Sequence, residues 1–203
     1  MISGLYFITD SKLTRKTVIE DVKAAIDADV KVIQYREKEK STKEMFLEAK
    51  EIKKLCANVL FIINDGIDIC LSADADGVHL GQDDMPFLEA RKILGDKIIG
   101  VTVHNVNEAI EAEEIGADYI GVSPIFETST KKDAGPAAGL KLIKDVKNKV
   151  SLPIIAIGGI NLENVDSVIK AGADSVAVIS AIVTKDDVYT ECKKFINKFD
   201  KNN

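Results

Sequence analysis

Short apolar runs rich in Val and Ile alternate along this chain with longer stretches whose apolar positions recur every three or four residues. The runs at 5–9, 60–64, 98–103 and 153–157 read as strands. Between them, Phe46, Ala49, Ile52, Lys53 and Cys56 mark one helical face, and Val165, Val168, Ile169 and Ala173 another. Four further strands are announced by a recurring phrase: Ala28-Asp29-Val30-Lys31-Val32, Ala75-Asp76-Gly77-Val78-His79, Ala117-Asp118-Tyr119-Ile120 and Ala173-Asp174-Ser175-Val176. Copies lie roughly 40 to 55 residues apart, which suits two βα units each, since one βαβ crossover takes about 30 residues. Ser41 with Glu44 three residues later has the spacing of a capping box.

Eight strands alternating with seven or eight helices follow from this pattern, and strands apolar along most of their length imply a parallel sheet covered on both faces. The fold class is therefore α/β. The architecture that fits best is a single compact (β/α)8 TIM barrel over residues 1–203, the last few residues forming a frayed tail. A doubly wound open sheet is the alternative. The four-fold repeat favours closure, because a closed array has no privileged end strands. In such barrels chemistry belongs to the C-terminal ends of the strands and the loops that follow.

Composition narrows the partners. A chain of 203 residues with 46% apolar and 30% charged residues is ordinary for one globular domain. Its net charge of −6 argues against a general nucleic-acid or acidic-membrane binder, so an anionic ligand would need locally gathered cations. No apolar run approaches a membrane span, and Met1-Ile2-Ser3-Gly4-Leu5 lacks an export pattern, so a cytoplasmic location is expected. Cys56, Cys70 and Cys192, odd in number and far apart, suit buried thiols rather than a disulfide framework. With only His79 and His104, a His-rich metal site is excluded.

The expected strand ends carry the candidate chemistry. After the second strand, taken as residues 30–33, come Gln34, Tyr35, Arg36, Glu37 and Lys38. Alternation puts Gln34, Arg36 and Lys38 on one face and Tyr35 and Glu37 on the other. An amide, a guanidinium and an ammonium together suit a pyrophosphate, though a solvated charged turn would look the same. Strand 3 stops at Asn64-Asp65-Gly66, which reads as a helix cap or as an amide and a carboxylate at the mouth. Strand 4 ends in Gly81-Gln82-Asp83-Asp84. Two carboxylates beside Arg and Lys suit Mg²⁺ completed by phosphate oxygens and water, or simple salt bridges. Strand 5 offers Thr102 and His104, the latter more often a structural partner than a base. The irregular stretch 123–139 follows strand 6, with Thr128, Ser129, Thr130, Lys131 and Lys132 placed to meet a phosphate ester, and a loop of that length reads as a lid. Gly158 and Gly159 after strand 7, and Ile179 and Ser180 after strand 8, fit the backbone phosphate cup of this fold, near a helix N-terminus. Tyr6 reads equally as a packed aromatic or as a ligand neighbour.

Taken in order, Gln34-Tyr35-Arg36-Glu37-Lys38, Asn64-Asp65, Gly81-Gln82-Asp83-Asp84 and Pro124-Ile125-Phe126-Glu127-Thr128-Ser129-Thr130-Lys131 resemble thiamine-phosphate synthases along nearly the whole chain. Ile157-Gly158-Gly159-Ile160 and Val178-Ile179-Ser180 add a feature common to phosphate-binding barrels. The resemblance implies transfer of the 4-amino-2-methylpyrimidin-5-ylmethyl group from its diphosphate to a thiazole phosphate, with release of pyrophosphate. It implies that Gln34, Tyr35, Arg36, Glu37, Lys38, Asn64, Thr102 and Lys131 hold the pyrimidine diphosphate, with Arg36, Lys38 and Lys131 assisting departure of the leaving group. Asp65 and Asp84 would ligate Mg²⁺, and Thr128, Ser129, Thr130, Gly159, Ile179 and Ser180 would hold the thiazole phosphate. Thr102 stands where the family has Ser and keeps the hydroxyl, whereas Ser123 stands where Gly is usual. The expected partners are these small substrates, with a homo-oligomer left open.

Three rivals remain. A thiazole tautomerase on the same barrel would have no reason to keep the strand-2 cations, Asn64-Asp65 and the 128–131 segment together. A silent barrel binding thiamine precursors would bind thiazole phosphate without magnesium-dependent pyrophosphate release. An aldolase would want a desolvated lysine at an inner strand position, which these apolar strands do not convincingly supply.

Overall fold

A ring of eight parallel strands closes on itself in the computed structural model, which describes residues 2–130 and 135–200. In chain order the strands are β1 (Gly4–Ile8), β2 (Val32–Tyr35), β3 (Leu60–Asn64), β4 (Gly77–Leu80), β5 (Ile98–Val103), β6 (Tyr119–Val122), β7 (Ile154–Ile157) and β8 (Ser175–Val178). The helices following the first seven are α1 (Val18–Asp27), α2 (Thr42–Leu55), α3 (Ile67–Ser72), α4 (Phe87–Leu94), α5 (Val106–Glu114), α6 (Gly139–Lys147) and α7 (Val165–Lys170). A single turn, α8 (Ser180–Val183), separates β8 from α9 (Val188–Asp200). The barrel expected from the repeat is thus the one observed, and the open sheet is set aside. The expected frayed tail falls on residues 201–203, outside the described residues.

The period-2 pattern of each strand divides two packing layers. Tyr6, Ile8, Val32, Ile62, Tyr119, Ile155 and Ala177 fill the barrel interior. Phe7, Ile33, Tyr35, Phe61, Ile63, Val78, Ile120 and Val176 face outward into the larger layer beneath the helices. β2 runs two residues beyond its expected end, to Tyr35, because Gln34 and Tyr35 pair with Ile62 and Ile63 of β3. Ala173 lies past the end of α7 rather than on its face. Ser41 caps α2 with the reciprocal Glu44 bond that its spacing implies.

The repeated Ala-Asp phrase has a physical cause at the opposite end of the barrel from the chemistry. Asp76 Oδ2 accepts from Phe61 N at 2.8 Å, Asp118 Oδ2 from Ile99 N at 2.8 Å, and Asp174 Oδ2 from Ile154 N at 2.9 Å. Each carboxylate also meets a cation from the helix before the strand it caps: Lys53, Arg91 and Lys147 respectively. Every second strand is thereby tied at its start to the next one. The first copy departs from this scheme: among the described residues, Asp29 forms its ion pair with its near neighbour Lys31. Asp174→Ala should therefore lower stability by about 1–2 kcal/mol, because the Ile154 amide loses its acceptor. Asp29→Asn should stay within about 0.5 kcal/mol of the parent. Thermal melts of the two variants check the contrast, and equal losses would refute it.

Candidate functional site

The interior apolar layer gives way to polar side chains at the C-terminal ends of the strands, around a cavity of about 260 Å³. Every strand contributes to its lining, from Tyr6 of β1 to Val178 of β8.

One wall is cationic. Alternation along β2 brings Gln34, Arg36 and Lys38 to the cavity, as expected. Arg36 does not wait there free: its Nη1 donates to Asp10 Oδ2 at 2.7 Å, and both side chains are nearly buried. Asp10 is held in turn by the backbone N–H groups of Lys12 and Leu13. The Arg36 backbone exchanges bonds with the Thr9 hydroxyl, at 2.9 and 3.2 Å, which ties the loop after β2 to β1. Lys38 reaches across to Asp65 Oδ2 at 2.6 Å.

Tyr35 and Glu37 do not line the cavity: the alternation that brings Gln34, Arg36 and Lys38 to it turns them the other way. Tyr35 points beneath α2, where its hydroxyl donates to Glu48 at 2.7 Å. Glu37 is buried and turned back on its own loop, where Oε1 accepts from the N–H groups of Lys38 and Glu39. Burial works against its charge, yet bonds from Glu39 N–H, Ser11 and Lys38 N–H hold its carboxyl below the usual range. Both residues serve the loop that carries Lys38.

Facing the cations are the carboxylates. Asp65 occupies the left-handed region at φ 60°, which Asp tolerates better than most side chains. Its carboxyl is held above the usual range, first by burial and then by Asp84, with Lys38 pulling the other way. Asp84 Oδ2 accepts from Gly81 N at 2.6 Å. A buried carboxyl whose charge is further disfavoured by Asp84 marks a site short of positive charge, which one divalent cation would relieve. Among the described residues no group of three or more His, Cys, Asp or Glu side chains could hold a metal alone. A hard cation that completes its shell with phosphate oxygens and water, such as Mg²⁺, fits this two-carboxylate donor set. Asn64 lines the cavity beside them.

The far wall is built from backbone and hydroxyls. Thr128, Thr130, Gly158, Gly159, Ile179 and Ser180 line it, while Ser129 is exposed and does not. Gly159 is required here: at φ 63°, a β-carbon would lie 2.5 Å from the Glu127 carbonyl oxygen. That close approach seats the 123–130 segment against the end of β7, supported by the Ile125 N–H to Ile157 O and Phe126 N–H to Gly158 O bonds. Ser123, which departs from the family's Gly, has no left-handed backbone that would demand one. Its carbonyl takes His104 Nδ1 at 2.6 Å, so His104 is a structural partner at the rim. Lys131 and Lys132 lie outside the described residues.

Between the walls, the floor holds Tyr6, whose role the sequence leaves open, and His79 and Tyr119, which the strand ends do not single out. Gly100 makes room for Tyr119, because a β-carbon there would meet its ring at 2.0 Å. Burial pushes the phenols of Tyr6 and Tyr119 far above their usual value, so both stay protonated. No thiol competes as a nucleophile, since burial pushes Cys56, Cys70 and Cys192 up to about 12, 11 and 12.

A family model described as thiamine monophosphate synthase matches residues 5–182. Over 194 residues the chain is 57% identical to a thiamine-phosphate synthase of Methanosarcina mazei, covering 95% of this chain and 81% of that relative. It is 54% identical to one from Methanosarcina barkeri over 194 residues, covering 95% and 88% respectively. Among solved structures, a thiamine phosphate pyrophosphorylase from Pyrococcus furiosus superposes with a TM-score of 0.91 at 38% identity, covering 98% of this chain and 96% of that one.

Proposed function

The chain belongs to the thiamine monophosphate synthase family and is a transferase of thiamine biosynthesis, and we propose that its cavity joins a pyrimidinylmethyl diphosphate to a thiazole phosphate. The observation that carries the reading is the pairing of two anion-handling walls in one cavity: Arg36 and Lys38 beside Asp65 and Asp84 on one side, Gly159, Ser180, Thr128 and Thr130 on the other. A tautomerase handling one phosphate would use the second wall alone.

The chemistry follows from what the cavity holds and what it lacks. The bond from the pyrimidinylmethyl carbon to oxygen breaks, its electron pair leaves with pyrophosphate, and the thiazole nitrogen lone pair closes the new bond. Such a step needs no strong base; it needs the leaving group's charge met and the two partners aligned. Arg36 and Lys38 meet that charge, with Lys131 in the same role, and Gln34, Asn64 and Thr102 orient the pyrimidine. The hydroxyls and backbone of the far wall hold the thiazole phosphate. Asp65 and Asp84 would hold Mg²⁺, which when bound supplies positive charge to the departing pyrophosphate. Lys38 pairs with Asp65 at 2.6 Å, so a cation held by Asp65 would compete for the same carboxylate and Lys38 would then be available to the diphosphate. Three free, buried thiols support a cytoplasmic site of action.

Protein incubated with the pyrimidine diphosphate, thiazole phosphate and Mg²⁺ should yield thiamine phosphate, read by fluorescence after oxidation, and EDTA should abolish it. Absence of product, with thiazole phosphate still bound, would transfer the assignment to a tautomerase or a silent binder.

A further inference from the structure

Lys40, in the loop between β2 and α2, is a cation that does not line the cavity. Its ammonium turns onto α2, where it donates to both carboxylate oxygens of Glu48 at 2.7 Å. The same ammonium lies 3.4 Å from Glu37 Oε2, on a side chain with no exposed surface. Glu48 also receives the Tyr35 hydroxyl at 2.7 Å. One cation is thus shared by two carboxylates, one from the loop and one from the helix. Burial works against that cation, yet Glu48 and then Glu37 hold it above the usual lysine range, so it stays charged.

The consequence lies on the other face of the chain. Tyr35 and Glu37 flank Arg36, and Glu37 precedes Lys38, so residues that enter the cavity alternate with residues anchored behind it. Glu37 Oε1 accepts from the N–H groups of Lys38 and Glu39 at 2.8 and 2.7 Å, so this carboxylate fixes the backbone from which Lys38 departs. Lys40 in turn holds the carboxylate, and Glu48 holds Lys40. α2 gives this chain of contacts a firm origin, because Ser41 and Glu44 close a reciprocal cap at its start. Lys38 needs such support most. Its side chain is half exposed and long, so the reach of its ammonium depends on where its backbone stands.

We propose that Lys40 is a positioning residue of the diphosphate wall: by holding Glu37 against Glu48, it sets the loop from which Arg36 and Lys38 meet the leaving group before any ligand arrives. Cations placed in advance lose little freedom on binding. The far wall is built on β7, β8 and the 123–130 segment and takes no contact from this network, so the effect is confined to one of the two anions. The inference rests on the reading of this cavity as a site for a diphosphate and a phosphate ester.

Calorimetry on the full chain tests it, with magnesium pyrophosphate as the probe of the first wall and thiazole phosphate as the probe of the second. Lys40→Met should weaken pyrophosphate binding by about tenfold, within the range that a small misplacement of binding groups costs, and leave thiazole phosphate affinity unchanged. Lys40→Met alone strands two carboxylates, so the double variant Lys40→Met with Glu48→Gln accompanies it. Losing one ammonium and one carboxylate together keeps the network's net charge as it was, while the tie to α2 is still cut. The double variant should melt near the parent and still bind pyrophosphate about tenfold more weakly. Pyrophosphate affinity that returns along with stability overturns the proposal, because the network is then merely structural. So does a fall in both affinities together, or pyrophosphate affinity equal to the parent's in the double variant. Wild-type protein that binds thiazole phosphate but no magnesium pyrophosphate overturns the reading of the first wall as well, an outcome distinct from binding that the variants leave intact.

Discussion

Arg36→Ala lowers kcat/KM for thiamine phosphate formation by about 10²–10³-fold, the usual consequence of removing a preorganised donor from a developing negative charge. The fold survives the change at a modest cost. Arg36 lies against Asp10, so its removal leaves a nearly buried carboxylate without its cation. That loss is cushioned because Asp10 Oδ1 keeps the N–H groups of Lys12 and Leu13, at 3.1 and 3.2 Å. A destabilisation of about 1–3 kcal/mol is expected, below that of a fully buried broken pair. The double variant Asp10→Asn with Arg36→Ala separates the two effects. It should regain most of the lost stability in thermal melts and none of the lost turnover. Near-normal pyrophosphate release from Arg36→Ala would remove this residue from the leaving-group role. Asp10 has a functional side too: it holds the guanidinium in place before the ligand arrives, which limits the entropy lost on binding.

Asp10 also shows where sequence reading stops. Period-2 alternation sufficed to send Gln34, Arg36 and Lys38 inward, because a strand's geometry leaves a residue only two directions. The repeated Ala-Asp phrase sufficed for a closed barrel, since a phrase recurring along the whole chain leaves no privileged end strands. Partnerships between strands distant in sequence are another matter. Tyr6 and Tyr119 meet across a separation of 113 residues, and nothing in either neighbourhood announces the other. A signal for Tyr119 did exist, in Gly100: a glycine inside an apolar strand often marks close approach by something large. Tyr35 and Glu37 point away from the cavity by the same alternation. They are inseparable from the motif in sequence, but they serve it from behind, through Glu48 of α2 and the backbone of the loop. A motif names the residues that a site needs, and only their direction says which of them touch the ligand.

Asp65→Asn raises the magnesium concentration needed for half-maximal activity by about tenfold or more, while the metal-free protein is no less stable than its parent. The sign follows from the site's electrostatics. The Asp65 carboxyl titrates above its usual range because burial and the neighbouring Asp84 disfavour its charge more than Lys38 favours it. A carboxyl whose folded value is raised costs stability once pH exceeds its unfolded value, and that cost fades as pH falls below the folded one. At neutral pH the charged Asp65 is therefore a burden on the empty fold, partly offset by Lys38 at 2.6 Å. Asn removes the repulsion along with the ligand oxygen's charge. The left-handed backbone at φ 60° is no obstacle, because Asn accepts that conformation as readily as Asp. Lost metal affinity with retained stability is the signature of a residue kept for function at the expense of the fold. The two quantities come from a magnesium titration of the rate and a melt in EDTA. An unchanged titration would make Asp65 a helix-entry residue, and a large drop in melting temperature would say the same. The same electrostatics require magnesium binding to release protons, so affinity should fall as pH drops toward the raised Asp65 value. Lys38→Met should sharpen that fall, because without the ammonium nothing opposes the rise that burial and Asp84 impose on the Asp65 carboxyl.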